Sequence, residues 1–153
     1  MTRGSSLKLK IAWIGKTKEA AIETLGAEYL KRLSRFVEAE GMVLRDEAAL
    51  LQLAQGEGSR GKHRLVLFES TGKQFSSEEF AEFVRSHQDN NPLPLLFAIG
   101  PADGFSADTR RVASTSLSLG KITMPHELAR VVLLEQVYRA FTILKRHPYH
   151  IGH

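Results

Sequence analysis

The alternation of apolar and polar positions predicts a chain in which strands and helices follow one another. Residues 7–14 alternate before running apolar, and residues 95–99 form a continuous apolar run; both patterns are typical of strands. Shorter or weaker apolar runs at 36–44, 65–68 and 116–119 predict three further strands.

Helical spacing of apolar residues predicts the elements between these strands. Residues 19–33 place apolar side chains three and four positions apart and leave Lys31 and Arg32 in solvent. Ser76, with Glu79 three positions later, forms the capping-box motif that starts a helix. The predicted helices are 19–33, 46–55, 77–87, 108–114 and 127–146.

Strands that alternate with helices predict βαβ units, a mostly parallel sheet and a three-layer α/β fold. The chain has 153 residues, the size of one domain, which we expect to span residues 1–153. The last predicted helix is apolar on more than one face, so it needs two packing partners. Two interpretations stay open: its second face joins a two-fold homodimer, or it is a core helix enclosed within one chain.

Composition excludes several classes of protein. The chain has no cysteine, so it has no disulfide scaffold, thiolate metal site or thiol nucleophile. Its histidines lack the nearby carboxylates of a metal-ligand motif, and we predict no metal. No apolar stretch approaches the roughly 20 residues that cross a bilayer. We therefore expect a soluble, cytoplasmic protein without a membrane partner.

Basic charge is concentrated at the two ends of the chain. The net charge is +4; residues 1–35 hold eight basic and three acidic residues, and residues 136–153 hold three basic and no acidic ones. Basic surfaces bind polyanions because phosphate contacts release counterions. On charge alone, the excess of basic residues is better explained by two helices that simply expose lysine and arginine to solvent.

Glycine-containing segments follow three of the predicted strands, at 69–73, 100–105 and 119–124. In open α/β sheets, ligands bind beyond the carboxyl ends of the strands, and backbone groups in such loops suit an adenosine-type ligand. The Gly-x-Gly-x-x-Gly pattern at 56–61 follows a helix and precedes a strand, the reverse of a dinucleotide site, and the chain contains no P-loop.

The end of the chain carries further candidate chemistry. Pro148 ends the last helix. After it, Tyr149 offers a stacking face and His150 a group that titrates near neutral pH. The alternative is a frayed terminus without a function.

Seven segments, taken together, match one known family. They are Trp-Ile-Gly-Lys at 13–16, Tyr-Leu-Lys-Arg at 29–32, Phe-Ala-Ile-Gly-Pro-Ala-Asp-Gly at 97–104, Leu-Ser-Leu at 117–119, Thr-Met-Pro-His at 123–126, the run 130–141 containing Glu-Gln-Val-Tyr-Arg-Ala, and Pro-Tyr-His at 148–150. Across residues 7–150 the chain resembles the ribosomal RNA large subunit methyltransferase H family.

The resemblance implies a SPOUT-class α/β domain whose C-terminal part threads a trefoil knot, and a homodimer. It implies transfer of a methyl group from S-adenosylmethionine to N3 of a pseudouridine in large-subunit ribosomal RNA, on assembled ribosomes. The implied cofactor contacts are Phe68, Gly100, Leu119, Gly120, Lys121, Ile122, Thr123 and Met124.

The same resemblance implies the catalytic residues. Tyr149 and His150 would reach the target nucleoside, with Arg139 and His126 nearby. Both histidines are candidates for the base that takes the N3 proton, and the choice between them stays open. Arg139 or Tyr149 would donate to the negative charge that develops on the nucleobase.

The chain departs from the family at two positions. Gly100 is followed by Pro101 where the family has a second glycine, so the turn has one amide donor fewer. Ile151 stands where the family tends to have a basic residue, which leaves Lys145 and Arg146 as candidates for a phosphate contact.

Two other functions compete with this one. A non-catalytic ribosome- or RNA-binding module would use the same basic surfaces, but it has no need for three glycine loops around a cofactor-sized crevice. An S-adenosylmethionine-dependent enzyme acting on a protein or a small molecule is the third alternative, and the net charge of +4 favours RNA over it.

Overall fold

The computed structural model describes residues 7–56, 61–101, 103–147 and 149. In these residues five strands alternate with five helices. The strands are β1 (Lys8–Ile14), β2 (Glu38–Leu44), β3 (Arg64–Gln74), β4 (Leu95–Ile99) and β5 (Thr115–Ser118). The helices are α1 (Ala20–Leu33), α2 (Glu47–Gln55), α3 (Ser77–Asn90), α4 (Ala107–Val112) and α5 (His126–Leu144).

Side-chain caps explain where three of the helices begin. The carboxylate of Asp46 accepts from a backbone amide three residues later and starts α2. Ser76 and Glu79 form the predicted capping box at the start of α3. Ser106 caps α4 in the same way, one residue before that helix begins.

All strand pairs in the described sheet are parallel, in the order β2-β1-β4-β3-β5. One face of the sheet packs against α1, α3 and α5 through the larger apolar core. The other face packs against α2 and α4 through a second, smaller core. The predicted three-layer α/β fold with a parallel sheet is confirmed. No helix among the described residues is long and apolar enough to cross a membrane.

Strand β3 continues beyond the apolar run that predicted it. We expected a loop at 69–73, but the strand runs to Gln74, and both Phe68 and Lys73 are in register with Leu117 of β5. The residues between them form a bulge. The expectation was wrong because this part of β3 is polar and pairs with the edge strand β5 through backbone atoms, which leave no pattern in the sequence. A Cβ atom at Gly72 would lie 2.5 Å from the carbonyl carbon of Leu117, so only glycine permits this pairing.

Helix α5 packs between α1 and α3, on the same face of the sheet. Leu133, Val137 and Phe141 are fully buried there, so the core-helix interpretation accounts for them. Leu128, near the start of the helix, is 44% exposed. The homodimer and the trefoil knot stay predictions.

Candidate cofactor and active site

A cavity of about 240 Å³ lies beyond the carboxyl ends of β3, β4 and β5. Its walls come from the bulge of β3, the turn after β4 and the segment between β5 and α5. Seven of the eight residues expected to contact a cofactor line it: Phe68, Gly100, Leu119, Gly120, Ile122, Thr123 and Met124. The eighth, Lys121, is exposed and is not part of the lining.

A larger cavity, of about 390 Å³, lies at the amino ends of the strands and is lined by Leu7 and residues 88–93. Its described lining contains no histidine, arginine or lysine. The smaller cavity contains His126, Arg110 and two carboxylates. We therefore place the chemistry in the smaller cavity.

The turn after β4 accommodates the Gly-Pro departure. The amide of Gly104 donates to the carbonyl oxygen of Pro101 over 2.9 Å. Residue 101 therefore takes part in this turn through its carbonyl group, and the turn does not require the N–H group that proline lacks. Gly104 has a φ of +84°. A Cβ atom at Gly100 would lie 2.7 Å from the ring of Phe105, which explains why glycine stands there.

The segment between β5 and α5 is held by a buried hydroxyl. Ser118 is 2% exposed. Its Oγ accepts from the amide of Gly120 over 3.1 Å and donates to the carbonyl of the same residue over 3.0 Å. The sequence reasoning missed Ser118, since a lone serine at the end of a strand gives no signal. Ile122, four residues later, is 82% exposed at the cavity.

Glu69 joins three parts of the cavity wall. Its carboxylate accepts from Arg110 over 2.9 Å, from the hydroxyl of Ser116 over 2.9 Å and from the amide of Phe105 over 3.3 Å. The hydrogen bond from Arg110 holds the pKa of Glu69 below its usual value, although burial opposes this. The sequence reasoning missed Glu69. The feature that could have identified it is a carboxylate directly after the buried strand residues 65–68.

The first turn of α5 connects the cavity to the loop after β1. His126 begins the helix, is exposed and lines the cavity. The next residue, Glu127, accepts from the backbone amides of Lys18 and Glu19 over 3.0 Å each. These two bonds hold the pKa of Glu127 below its usual value.

Arg130 also holds the loop after β1, through hydrogen bonds. It is 2% exposed and donates to the carbonyl oxygens of Ile14 and Gly15 and to the hydroxyl of Thr17, over 2.8–3.1 Å. Its guanidinium lies 5.7 Å from the ring of Trp13. Sequence reasoning assigned Glu127 and Arg130 no role, because their partners lie more than a hundred residues away.

The described part of the tail packs beside residues 135–139 of α5. The Tyr149 hydroxyl donates to Glu135 over 3.0 Å, and its ring lies 4.8 Å from the ring of Tyr138 in an edge-on arrangement. Arg139 is ion-paired with Glu135, and its guanidinium lies 5.3 Å from the Tyr149 ring. Burial, together with hydrogen bonds to Tyr29 and Glu135, raises the pKa of the Tyr149 phenol above its usual value.

The structure brings Arg139 and Tyr149 together but keeps them away from His126. Arg139 lies thirteen residues after His126 on the same helix, which separates them by about 20 Å along its axis. His150, the other candidate base, lies outside the described residues, as do Pro148, Ile151 and residues 57–60 of the glycine-rich link.

Basic residues from the segments 1–35 and 136–153 come together where α1 and α5 end. Helices α1 and α5 run side by side in the same direction, so both end at the same end of the molecule. The rings of Phe36 and His147 are 6.0 Å apart there. The exposed basic residues around this contact are Lys31, Arg35, Lys145 and Arg146.

Comparison with known proteins identifies the family. Residues 7–150 match the family model described as "Predicted SPOUT methyltransferase". A protein named "Ribosomal RNA large subunit methyltransferase H" from Koribacter versatilis is 56% identical over 147 residues, which is 96% of this chain and all of that protein. The chain belongs to this methyltransferase family.

A second relative and a solved structure are also similar to this chain. The methyltransferase of the same name from Gloeobacter violaceus is 39% identical, with 95% of this chain and all of that protein covered. The solved structure of a probable methylase family protein from Haemophilus influenzae aligns with a TM-score of 0.55 at 11% identity, over 95% of this chain and 70% of that one. At this identity the likeness concerns the fold alone.

Membership of the SPOUT methyltransferases implies a methyl donor of the S-adenosylmethionine type. The cavity has the features that such a molecule needs. Apolar side chains of Ile99, Leu119 and Met124 offer contact to a purine ring. Gly120 has a φ of +139° and no atom within 4 Å of where its Cβ would stand, so the backbone is open to a ligand there.

Proposed function

We propose that this methyltransferase transfers a methyl group from S-adenosylmethionine to N3 of a pseudouridine in large-subunit ribosomal RNA. It works as a homodimer on assembled ribosomes in the cytoplasm. The observation that carries the proposal is the cavity beyond β3, β4 and β5, lined by seven of the eight residues that the family resemblance implies for the cofactor.

The cofactor, when bound, supplies an electrophilic methyl group on a sulfonium. The protein's part is to hold and orient it. Backbone groups at Gly100 and along 119–124 bind the adenosine portion, beside the buried ring of Phe68. The Ser118 hydroxyl keeps the loop at Gly120 in one conformation, which lowers the entropy lost on binding.

One chain does not contain a complete active site among its described residues. The cavity lies at the start of α5, and the Arg139–Tyr149 cluster lies about 20 Å farther along that helix. In a two-fold dimer, the tail of one protomer reaches the cavity of its partner. Ile122, 82% exposed, lines the cavity, and Leu128, 44% exposed, lies in the first turn of α5; both are apolar groups that such a partner would cover.

Each catalytic group then has a role that its environment supports. The Tyr149 phenol is protonated at neutral pH, and its raised pKa extends this to higher pH. Its one proton, which it donates to Glu135 in this structure, would be donated to the deprotonated nucleobase when the substrate binds. Arg139, fixed by Glu135, provides a positive charge next to it. His126 or His150 would take the N3 proton, which leaves N3 as the nucleophile for the methyl group that the bound donor would supply.

The basic surface formed by Lys31, Arg35, Lys145 and Arg146 supports a polyanionic substrate. These residues surround the base of the tail, so in the dimer they would face the same RNA that Tyr149 approaches. Phosphate contacts of this kind give the enzyme affinity without base specificity.

The test is methyl transfer from labelled S-adenosylmethionine to ribosomes that lack the modification, with free ribosomal RNA in parallel. We expect label on a single pseudouridine, and with ribosomes only. Ribosome binding without any transfer would instead establish the RNA-binding module. Transfer to a protein or a small molecule would contradict the choice of substrate.

A complementation experiment tests the two-chain site. Thr123→Trp fills the cavity with a bulky side chain at an exposed position, and a second variant lacks residues 149–153. Each variant alone is expected to be inactive, and the truncated chain should still bind the donor. Random pairing makes half of the dimers mixed, each with one intact site, so a mixture should recover about a quarter of the wild-type rate. No recovery would mean that each site lies within one chain.

A further inference from the structure

Arg110 is held at the wall of the cavity by a buried carboxylate. Its Nη2 and Nε atoms donate to Glu69 over 2.9 Å and 3.0 Å, an arrangement with two parallel bonds. The Glu69 side chain is 4% exposed, whereas that of Arg110 is 46% exposed. The cation is therefore fixed on one edge and open to solvent on the other.

The bonds around Glu69 leave one part of the Arg110 guanidinium available. Glu69 also accepts from Ser116 and from the amide of Phe105, so its oxygens are saturated. The Nη1 atom of Arg110 donates to no acceptor among the described residues. Two N–H groups on a fixed, planar cation at a cavity wall are suited to bind a carboxylate.

We propose that Arg110 binds the carboxylate of the amino-acid end of the methyl donor, and that Glu69 is the positioning residue that orients it. The inference rests on the proposed function, because it takes S-adenosylmethionine as the donor. The carboxylate is the one anionic group of that molecule. Asp103, an exposed residue in the same lining, has the charge that the donor's ammonium group requires.

A purely structural role would be a different use of the same ion pair. A half-exposed ion pair contributes little to stability by itself. The pair nevertheless carries a desolvation penalty, because the Glu69 carboxylate is removed from solvent. If Arg110 only neutralised Glu69, its loss would affect every ligand of the cavity equally. If it binds the carboxylate, its loss affects only ligands that have one.

The experiment compares S-adenosylmethionine with its decarboxylated analogue, which lacks only the carboxylate. Calorimetry gives the dissociation constants for wild type, Arg110→Gln and the control Arg111→Gln. Arg111 is the next residue of α4, is ion-paired with Asp108 and is not part of the cavity lining. Melting curves establish that each variant is folded.

We expect Arg110→Gln to weaken S-adenosylmethionine binding roughly tenfold to a hundredfold, the loss of a charge-assisted hydrogen bond. Binding of the decarboxylated analogue should change less than about twofold, so that the two losses are not additive. Arg111→Gln should leave both dissociation constants unchanged. Glu69→Gln, which loosens the guanidinium, should weaken S-adenosylmethionine more than the analogue.

Other outcomes separate the two proposals. Equal weakening of both ligands, or of neither, would overturn the role of Arg110 while leaving the donor assignment intact. Wild-type protein that binds neither ligand would overturn the donor assignment, and the role of Arg110 with it.

Discussion

The carboxylate of Glu127 caps the start of a helix to which it does not belong. It accepts from the amides of Lys18 and Glu19, 109 and 108 residues earlier in the chain. Glu19 is the N-cap residue of α1, and its own side chain makes no capping bond. The first turn of α5, which lines the cavity through His126, is thereby joined to the first turn of α1.

We expect Glu127→Gln to lower the melting temperature by a few degrees at neutral pH, because an uncharged amide is a weaker cap. The folded state lowers the pKa of Glu127, so its contribution is present above the unfolded pKa of about 4.3 and is lost as pH falls through the lower folded value. The difference between wild type and variant should therefore disappear in acid. Thermal unfolding across this pH range measures it.

Glu23→Gln is the control for that measurement. Glu23 lies in the first turn of α1 itself and is exposed, so its loss changes the charge near the same helix end without removing a cap. Equal effects of the two substitutions would mean that charge near the helix, and not the hydrogen bonds of Glu127, stabilises α1.

Arg130→Lys tests the loop after β1. The guanidinium donates to three oxygen atoms in this loop, and a lysine ammonium cannot reproduce that planar geometry. We expect a loss of about 2 kcal/mol in the free energy of unfolding, measured with urea. Arg111→Lys, at an exposed position on α4, should be neutral. A loss no greater than the control's would show that the buried bonds do not stabilise the loop.

The periodic part of the fold was predictable from the sequence, because apolar spacing reports directly which face of an element is buried. β4 was predicted with both boundaries correct, and the capping box at Ser76 correctly placed the start of α3. The second half of β3 was missed, since its polar residues 69–74 pair through backbone atoms that leave no pattern.

The candidate site was predictable only where glycines or family motifs mark it. Gly100 and Gly120 line the cavity as expected. Glu69 and Arg110 act as a pair across forty-one positions, and no local pattern connects two such residues. His126 and Tyr149 were expected near one another. Within one chain, however, His126 lies at the start of α5 and Tyr149 packs farther along that helix, and sequence motifs contain no information on this distance.

Gly72→Ala should disrupt the edge of the sheet. The new methyl group would lie 2.5 Å from the backbone of Leu117, and neither backbone can move without breaking the pairing of β3 and β5. We expect a loss of about 1–3 kcal/mol in the free energy of unfolding and weaker donor binding, because the bulge forms part of the cavity wall.

Gly26→Ala is the matched control, because it makes the same change inside α1. Its methyl group would make an ordinary contact of 3.6 Å with Leu134. We expect it to stabilise the protein by about 0.5–1 kcal/mol, the gain from removing a helical glycine. If both alanines were neutral, the close approach at Gly72 would be relieved by movements that the structure does not indicate.

Tyr149→Phe separates hydrogen-bond donation from packing at the tail. The ring remains to pack against Tyr138, but the hydroxyl is lost, which donates to Glu135 in this structure and to the nucleobase in the proposed reaction. We expect kcat to fall by roughly tenfold to a hundredfold, with the dissociation constant of the donor unchanged. Because burial and the hydrogen bonds to Tyr29 and Glu135 raise the phenol's pKa, the wild-type rate should not decline through its ionisation between about pH 8 and 10. A wild-type rate that falls in this range while the Tyr149→Phe rate does not would contradict the raised pKa, because the phenol would then be losing its proton near its ordinary value. A wild-type rate that rises through the ionisation of the phenol would mean that Tyr149 acts as a base and not as a donor.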